Sequence, residues 1–117
     1  LPLTKSTKNL IDRKKFDLMK PNAILINASR GGIINENDLA KTLLNRKIRG
    51  VVMDVFEDEP IKESNPLINL PDEIRENIIL SPHIAGVTKQ SWNYLFKESW
   101  KNVENFLSGK PVKYLVN

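Results

Sequence analysis

The single histidine of this 117-residue chain, His83, follows the apolar run Ile78-Ile79-Leu80 in the segment Ser81-Pro82-His83-Ile84-Ala85-Gly86. Two other apolar runs also end in groups capable of chemistry. Ala23-Ile24-Leu25-Ile26-Asn27 leads into Ser29-Arg30-Gly31-Gly32, and Val51-Val52-Met53-Asp54 leads into Val55-Phe56-Glu57-Asp58-Glu59-Pro60. An imidazole gives or takes a proton near neutral pH. A carboxylate bonded to one of its ring nitrogens fixes the tautomer and favours the protonated form, and Glu59 is the natural partner for that role. Arg30, beside a Gly-Gly pair, offers a fork of N–H donors suited to an anion. Asp54, last in its run, is placed either to bond an amide or hydroxyl of a ligand or to cap the next turn. Together these groups suit a substrate whose carboxylate rests on Arg30 while His83 moves a proton at its carbonyl or hydroxyl oxygen. None of them supplies electrons, so a redox reaction would require a cofactor.

Taken singly, each residue has an ordinary reading. A histidine caps a strand end, Glu57-Asp58-Glu59 is a solvated acidic loop, and an arginine forms a surface ion pair. Asp54, Glu57, Asp58 and Glu59 are also donors of the type a divalent cation takes, although acidic loops are common and we expect no metal here. The elements that position the residues argue for a joint role. If the three runs are parallel strands, Arg30, Asp54, Glu59 and His83 gather at the carboxyl edge of one sheet, where open α/β sheets bind ligands.

The pattern predicts those strands and the helices between them. Residues 5–20 carry one or two short helical turns, stopped by Lys20-Pro21-Asn22. Ala23–Asn27 is nearly continuously apolar, as for a strand buried on both faces. Asn35-Glu36-Asn37-Asp38 is helix-start chemistry, followed by Leu39, Ala40, Leu43 and Leu44 at helical spacing. Gly50 opens the second strand. Residues 55–76 read as a long loop with at most a turn of helix, a length usually tied to function or mobility. Asn77–Leu80 is the third strand. Thr88–Ser108 is a long amphipathic helix whose inner face is marked by Trp92, Leu95, Phe96, Trp100, Val103 and Phe106-Leu107, and Gly109 ends it. The two tryptophans read as packing or interface residues rather than a stacking platform. The tail from Lys110 is extended. Strands alternating with helices predict an α/β fold, a parallel Rossmann-type half-domain with helices on both faces, three main strands and one sheet edge left open.

Composition narrows the function. The chain holds no cysteine, which excludes disulfides, thiolate metal sites and a cysteine nucleophile, and fits a reducing cytoplasmic setting. No apolar stretch is long enough to span a membrane. The net charge of +4 comes from 18 basic and 14 acidic residues. The basic residues are scattered without interleaved aromatics, so a nucleic-acid partner is not expected. The sequence opens at Leu1-Pro2-Leu3-Thr4, and we expect it to be part of a longer protein.

Four segments, in order, resemble blocks of the NAD-dependent D-isomer-specific 2-hydroxyacid dehydrogenases, the family that includes phosphoglycerate dehydrogenase, glyoxylate/hydroxypyruvate reductase and D-lactate dehydrogenase. Leu1–Thr7 resembles its PLTxxT segment, and Met19-Lys20-Pro21 through Gly32 its MKPGAxLINxxRG block. Gly50 through Pro60 resembles GxxxDVFxxEP, and Ser81–Gly86 resembles [ST]PHxxG. The resemblance implies that Arg30 binds the substrate carboxylate, that Glu59 supports His83, and that His83 is the general acid/base. It also implies that Pro2, Thr7, Ala28, Ser29, Arg30, Asp54, His83 and Gly86 line NAD, with NADP equally compatible. The implied substrate is a small 2-hydroxy or 2-keto acid.

The glycine-rich fingerprint and acidic ribose partner of the family have no counterpart here, and Gly31-Gly32 does not replace them. Residues 1–109 therefore read as the carboxyl-terminal half of a dinucleotide-binding domain, and 110–117 as a tail returning toward a substrate domain. The expected partners are the amino-terminal half of the same enzyme and a second copy of the chain. Such a chain is expected to be inactive by itself. The alternative is a non-catalytic interaction module that pairs through the open sheet edge or the tryptophan-bearing helix.

Overall fold

The computed structural model describes residues 1–116. In chain order they form α1 (Arg13–Phe16), β1 (Ile24–Asn27), α2 (Glu36–Leu44), β2 (Gly50–Met53), α3 (Asp72–Arg75), β3 (Ile78–Leu80) and α4 (Lys89–Leu107). The chain divides into two compact units, residues 1–84 and residues 85–117.

The first unit is built on a parallel sheet of order β1-β2-β3. Leu25 pairs with Val51 and Asn27 with Met53, while Val51 pairs with Ile78 and Met53 with Leu80. Because side chains alternate along a strand, this register puts Leu25, Val51, Met53, Ile78 and Leu80 on one face. That face packs on Phe16 of α1, Leu39, Ala40 and Leu43 of α2, and Phe56, Leu67 and Leu70 of the following loop. Helix α2 starts where the sequence places it, because the Asn35 side chain accepts a bond from the Asp38 amide and Glu36 and Asp38 sit in its first turn.

The other face differs from the sequence expectation. Ile24, Ile26 and Ile79 are 56%, 67% and 62% exposed. An unbroken apolar run signals a strand apolar on both sides, but it does not say that this chain covers both. Here Leu25 meets the core, and Ile24 and Ile26 form an open apolar face with Ile79.

Two glycines let the backbones approach closely. A Cβ on Gly50 would lie 2.4 Å from the carbonyl oxygen of Asn77, which leads into β3. On Gly31 it would lie 1.7 Å from the carbonyl oxygen of Phe56, so the turn after β1 rests directly on the turn after β2. Between Met53 and β3 the chain contains only the single-turn α3, as the loop reading of residues 55–76 anticipates.

The second unit is dominated by α4. Thr88 caps it through a reciprocal capping box with Ser91, and Gly109 leaves it at φ +66°. The tail folds back along the helix. Asn102 exchanges two hydrogen bonds with the backbone of Lys113, and Asn105 donates to the carbonyl of Pro111. The apolar residues expected to mark the inner face of α4 are exposed: Trp92 is 45% and Trp100 64% accessible, and Leu95, Phe96, Val103, Phe106 and Leu107 are also open. Amphipathic spacing identifies the face that needs a partner without supplying one. None of the helices among the described residues is long and apolar enough to cross a membrane.

The Gly31–Phe56 contact gives a direct test of this packing. Gly31→Ala should destabilise the chain by about 1–3 kcal/mol through overpacking. Gly86→Ala, where an added Cβ meets nothing within 4 Å, should change stability by less than about 0.5 kcal/mol. Urea unfolding of the two variants measures both.

Candidate active site

The sheet ladder continues past the strand ends and fixes the loops there. The Asp54 amide donates to the Asn27 carbonyl at 3.0 Å, and the Ser81 amide donates to the Met53 carbonyl at 2.9 Å. The loops after β1, β2 and β3 therefore leave the same edge of the sheet.

At the end of β1, buried Asn27 braces the turn that carries Arg30. Its Oδ1 accepts from the Ser29 amide and hydroxyl at 3.1 and 2.8 Å, and its Nδ2 donates to the Arg30 carbonyl at 3.2 Å. The Arg30 side chain is exposed and spends one donor on the Ser29 carbonyl at 2.6 Å. It forms no ion pair among the described residues. Ala28 is exposed beside it.

The end of β2 carries the expected carboxylate–imidazole pair. Glu59 Oε2 lies 2.7 Å from His83 Nδ1, and Glu59 Oε1 accepts from the Phe56 amide at 2.9 Å. One oxygen thus holds the glutamate to its own loop while the other holds the imidazole. The hydrogen bond with His83 and then the one from Phe56 hold the Glu59 carboxyl below the usual glutamate range, against smaller opposing effects of burial and of the nearby Asp54 charge. With Nδ1 engaged, the ring's Nε2 is the atom left to meet a ligand.

Asp54 is 3% exposed. Its Oδ1 accepts from the Ser81 hydroxyl at 2.6 Å and from the Ile84 amide at 2.9 Å. These bonds bracket His83, whose backbone has φ +57°. A left-handed conformation is uncommon outside glycine, and surrounding bonds must hold it. Asp54 therefore braces the next strand's loop, a contact that a residue's position at the end of its own strand does not reveal.

The structure joins Glu59 to His83, and Asp54 to the residues flanking His83, by direct bonds. Ala28, Ser29 and Arg30 stand at the end of the neighbouring strand. Pro2 and Thr7 form their own turn, in which the Thr7 hydroxyl donates to the Pro2 carbonyl at 2.8 Å. Gly86 belongs to the second unit. Ser81 and Asn27 are braces that spacing alone does not single out, although each stands beside a residue that it does. Among the described residues no cluster of His, Asp and Glu could hold a metal ion.

A cavity of about 460 Å³ opens beside the pair, lined by Phe56, Glu59, Pro60, Ile61, Pro82 and His83. It is within the size of small-molecule sites and largely apolar, with one imidazole and one carboxylate in its wall. A cavity of about 390 Å³ near Asn22, Arg49 and Asn77 lies at the opposite end of the strands.

Comparison with known proteins identifies the family. Residues 1–85 match the family described as D-isomer specific 2-hydroxyacid dehydrogenase, NAD binding domain. The chain is 40% identical over 117 residues to a glyoxylate reductase of Thermococcus litoralis, covering all of this chain and 34% of the relative. It superposes with a TM-score of 0.83 at 28% identity on a D-lactate dehydrogenase with NAD+ from Lactobacillus jensenii, covering all of this chain and 38% of the other. A D-isomer specific 2-hydroxyacid dehydrogenase from Xanthobacter autotrophicus, in complex with NADPH and MES, gives a TM-score of 0.79 at 27% identity, with 100% and 46% covered. The chain spans about a third of the length of the curated relatives it matches.

The Glu59–His83 bond predicts a pH dependence. Because Glu59 titrates low in the folded chain, its contribution to stability is fully present above the ordinary carboxylate range, about 4.3. It is lost as pH falls through the lower folded-state value. In His83→Ala the carboxyl should move up toward that range, with the Phe56 bond retaining part of the depression. Chemical denaturation between about pH 6 and pH 3 should therefore show a shallower acid loss of stability in His83→Ala than in the parent chain.

Proposed function

This chain belongs to the D-isomer specific 2-hydroxyacid dehydrogenase family, in its NAD-binding domain, and from that premise we propose that it carries the proton-transfer half of a hydride-transfer site for a small 2-hydroxy/2-keto acid pair. The observation that supports this reading best is the 2.7 Å contact between Glu59 Oε2 and His83 Nδ1 at the carboxyl edge of a parallel sheet. His83 presents Nε2 to the substrate oxygen, donating a proton as a carbonyl is reduced and accepting one as a hydroxyl is oxidised. Glu59, bonded to Nδ1, fixes the orientation of the ring and leaves Nε2 facing the substrate. Arg30 holds the substrate carboxylate with the donors it does not spend on Ser29. NAD, or NADP, when bound, takes or delivers the hydride.

The residues present fit one end of such a cofactor. Ser29 and Arg30 after β1 and His83 after β3 offer hydroxyl, guanidinium and imidazole groups around the strand ends, where the nicotinamide would stand, with Ala28 exposed beside them and buried Asp54 bracing the loop of His83. Pro2 and Thr7 would extend that contact. A pyrophosphate cradle is a different matter. It needs glycines whose missing side chains leave room for phosphate, whereas the space at Gly31 is taken by the Phe56 carbonyl and that at Gly32 faces the Leu3 side chain. The chain thus supplies catalytic groups and the nicotinamide end, and its partner is the part of the enzyme that carries the glycine-rich loop and the substrate domain. Residues 1–109 serve as the carboxyl-terminal half of the dinucleotide-binding domain, with the segment from Lys110 leading toward that substrate domain. The open faces of the sheet and of α4 favour such a partner, or a second copy, in a reducing cytoplasmic setting.

The chain alone should bind NAD weakly and oxidise no NADH, because binding energy at the remote end of a cofactor also organises its reacting end. Micromolar affinity by calorimetry would overturn this. Mixed with an amino-terminal fragment carrying the glycine-rich loop and substrate domain, it should oxidise NADH with hydroxypyruvate, glyoxylate or pyruvate. His83→Ala should cut that rate by at least about 100-fold. A mixture shown to assemble yet inactive with all three acids would overturn the enzymatic reading in favour of an interaction module.

A further inference from the structure

Two carboxylates among the described residues are buried and lead back to the Glu59–His83 pair: Asp54, which braces the His83 backbone directly, and Glu36, which acts from farther off. Glu36, in the first turn of α2, is 7% exposed. It spends both oxygens on the long loop after β2: Oε1 accepts from the Glu57 amide at 2.7 Å, and Oε2 accepts from Asn65 Nδ2 at 2.6 Å. Asn65 is itself buried, and its Oδ1 accepts from the Leu67 amide at 2.9 Å. The carboxylate therefore ties the start of the loop to its middle and both to the helix.

The point of attachment matters. Residues 56–59 form a short turn whose first amide, that of Phe56, bonds Glu59 Oε1, and whose second amide, that of Glu57, bonds Glu36. The Phe56 carbonyl lies against Gly31. The turn is thus held from two directions, and Glu59 projects from it to His83. A free acidic loop would spread Glu59 over many positions, and proton-transfer groups lose effect with displacements of about 1 Å.

We propose that Glu36, with Asn65, is a positioning residue that holds the 56–59 turn so that Glu59 meets His83. The assignment rests on the catalytic reading of that pair for its functional meaning, but its physical content is independent of it. Glu36 touches neither residue of the pair and acts through the Glu57 amide, with Asn65 fixing the direction in which its carboxylate meets that amide.

The titration of the Glu59 carboxyl, followed by carbon-13 NMR in the full chain, tests the proposal. In Glu36→Gln, the side chain can still accept from one amide but cannot accept from both Glu57 and Asn65. Glu59 should then titrate closer to the ordinary glutamate range than in the parent chain. Adding Asn65→Asp lets the amide of the introduced glutamine donate to the introduced carboxylate while its oxygen accepts from Glu57, and this double variant should return Glu59 to its parent titration. If Glu36→Gln unfolds, Asn65→Ala, which leaves the Glu57 bond available, is read in its place and should move Glu59 in the same direction. A folded variant of either kind whose Glu59 titrates as in the parent overturns the proposal. So does a folded double variant that fails to restore the shift. An inactive assembled enzyme in which Glu36→Gln still moves the Glu59 titration would retire the dehydrogenase reading and leave the clasp in place. An unchanged titration would retire the clasp whatever the hydride-transfer assay gives.

Discussion

The chemistry of this chain depends on three strands running the same way in one register. With Asn27 opposite Met53 and Met53 opposite Leu80, the ladder bonds from Asp54 to Asn27 and from Ser81 to Met53 deliver three loops to one edge. An antiparallel third strand would send His83 to the far end, and Glu59 could not reach it. Glycine permits the tight spacing this requires: Gly50 admits the Asn77 backbone beside β2, and Gly31 lets the first two loops touch. These contacts are between backbones, so no flexible side chain can yield to relieve them.

On that platform three acidic side chains do different work because their surroundings differ. Glu36 is buried and bonded through both oxygens, so it holds a loop. Asp54 is buried and bonded across to Ser81 and Ile84, so it holds the unusual backbone at His83. Glu59 faces an imidazole and borders the apolar cavity. A buried carboxylate with fixed donors is a structural tie, whereas one paired to an imidazole can respond when a proton moves.

Much of this was legible in the residues. Apolar runs of strand length ending at Asn27, Asp54 and Leu80 located the sheet, and alternation with helical spacing made it parallel. Thr88 and Gly109 bounded α4 to within a residue, because cap and αL chemistry are local. The Glu59–His83 pair was legible through its separate motifs, each attached to a strand end. What was not legible depends on distant contacts. Glu36 read as an acidic residue in a helix start, and nothing in the sequence between them points from it to Asn65. The exposure of Ile24, Ile26 and the α4 face was hidden for the complementary reason: spacing records which surfaces are apolar, not which chain covers them.

That last point bears on how the chain should behave. Its buried core lies on one face of the sheet, between β2 and the residues of α1, α2 and the loop to Leu70. The opposite face offers Ile24, Ile26 and Ile79 to water, and each carries the cost of exposed apolar area, about 25 cal/mol per Å². Covering them would stabilise the sheet without altering the strand ends, because the register that gathers Arg30, Asp54 and His83 is set by backbone bonds and by the packed face. The edge that carries the Glu59–His83 pair and the open face are thus separable: one is built by contacts the chain already makes, and the other is a surface that a larger assembly can bury. A chain about a third as long as its relatives thus holds the geometry of the Glu59–His83 pair with its own contacts while leaving an apolar face for more protein to cover.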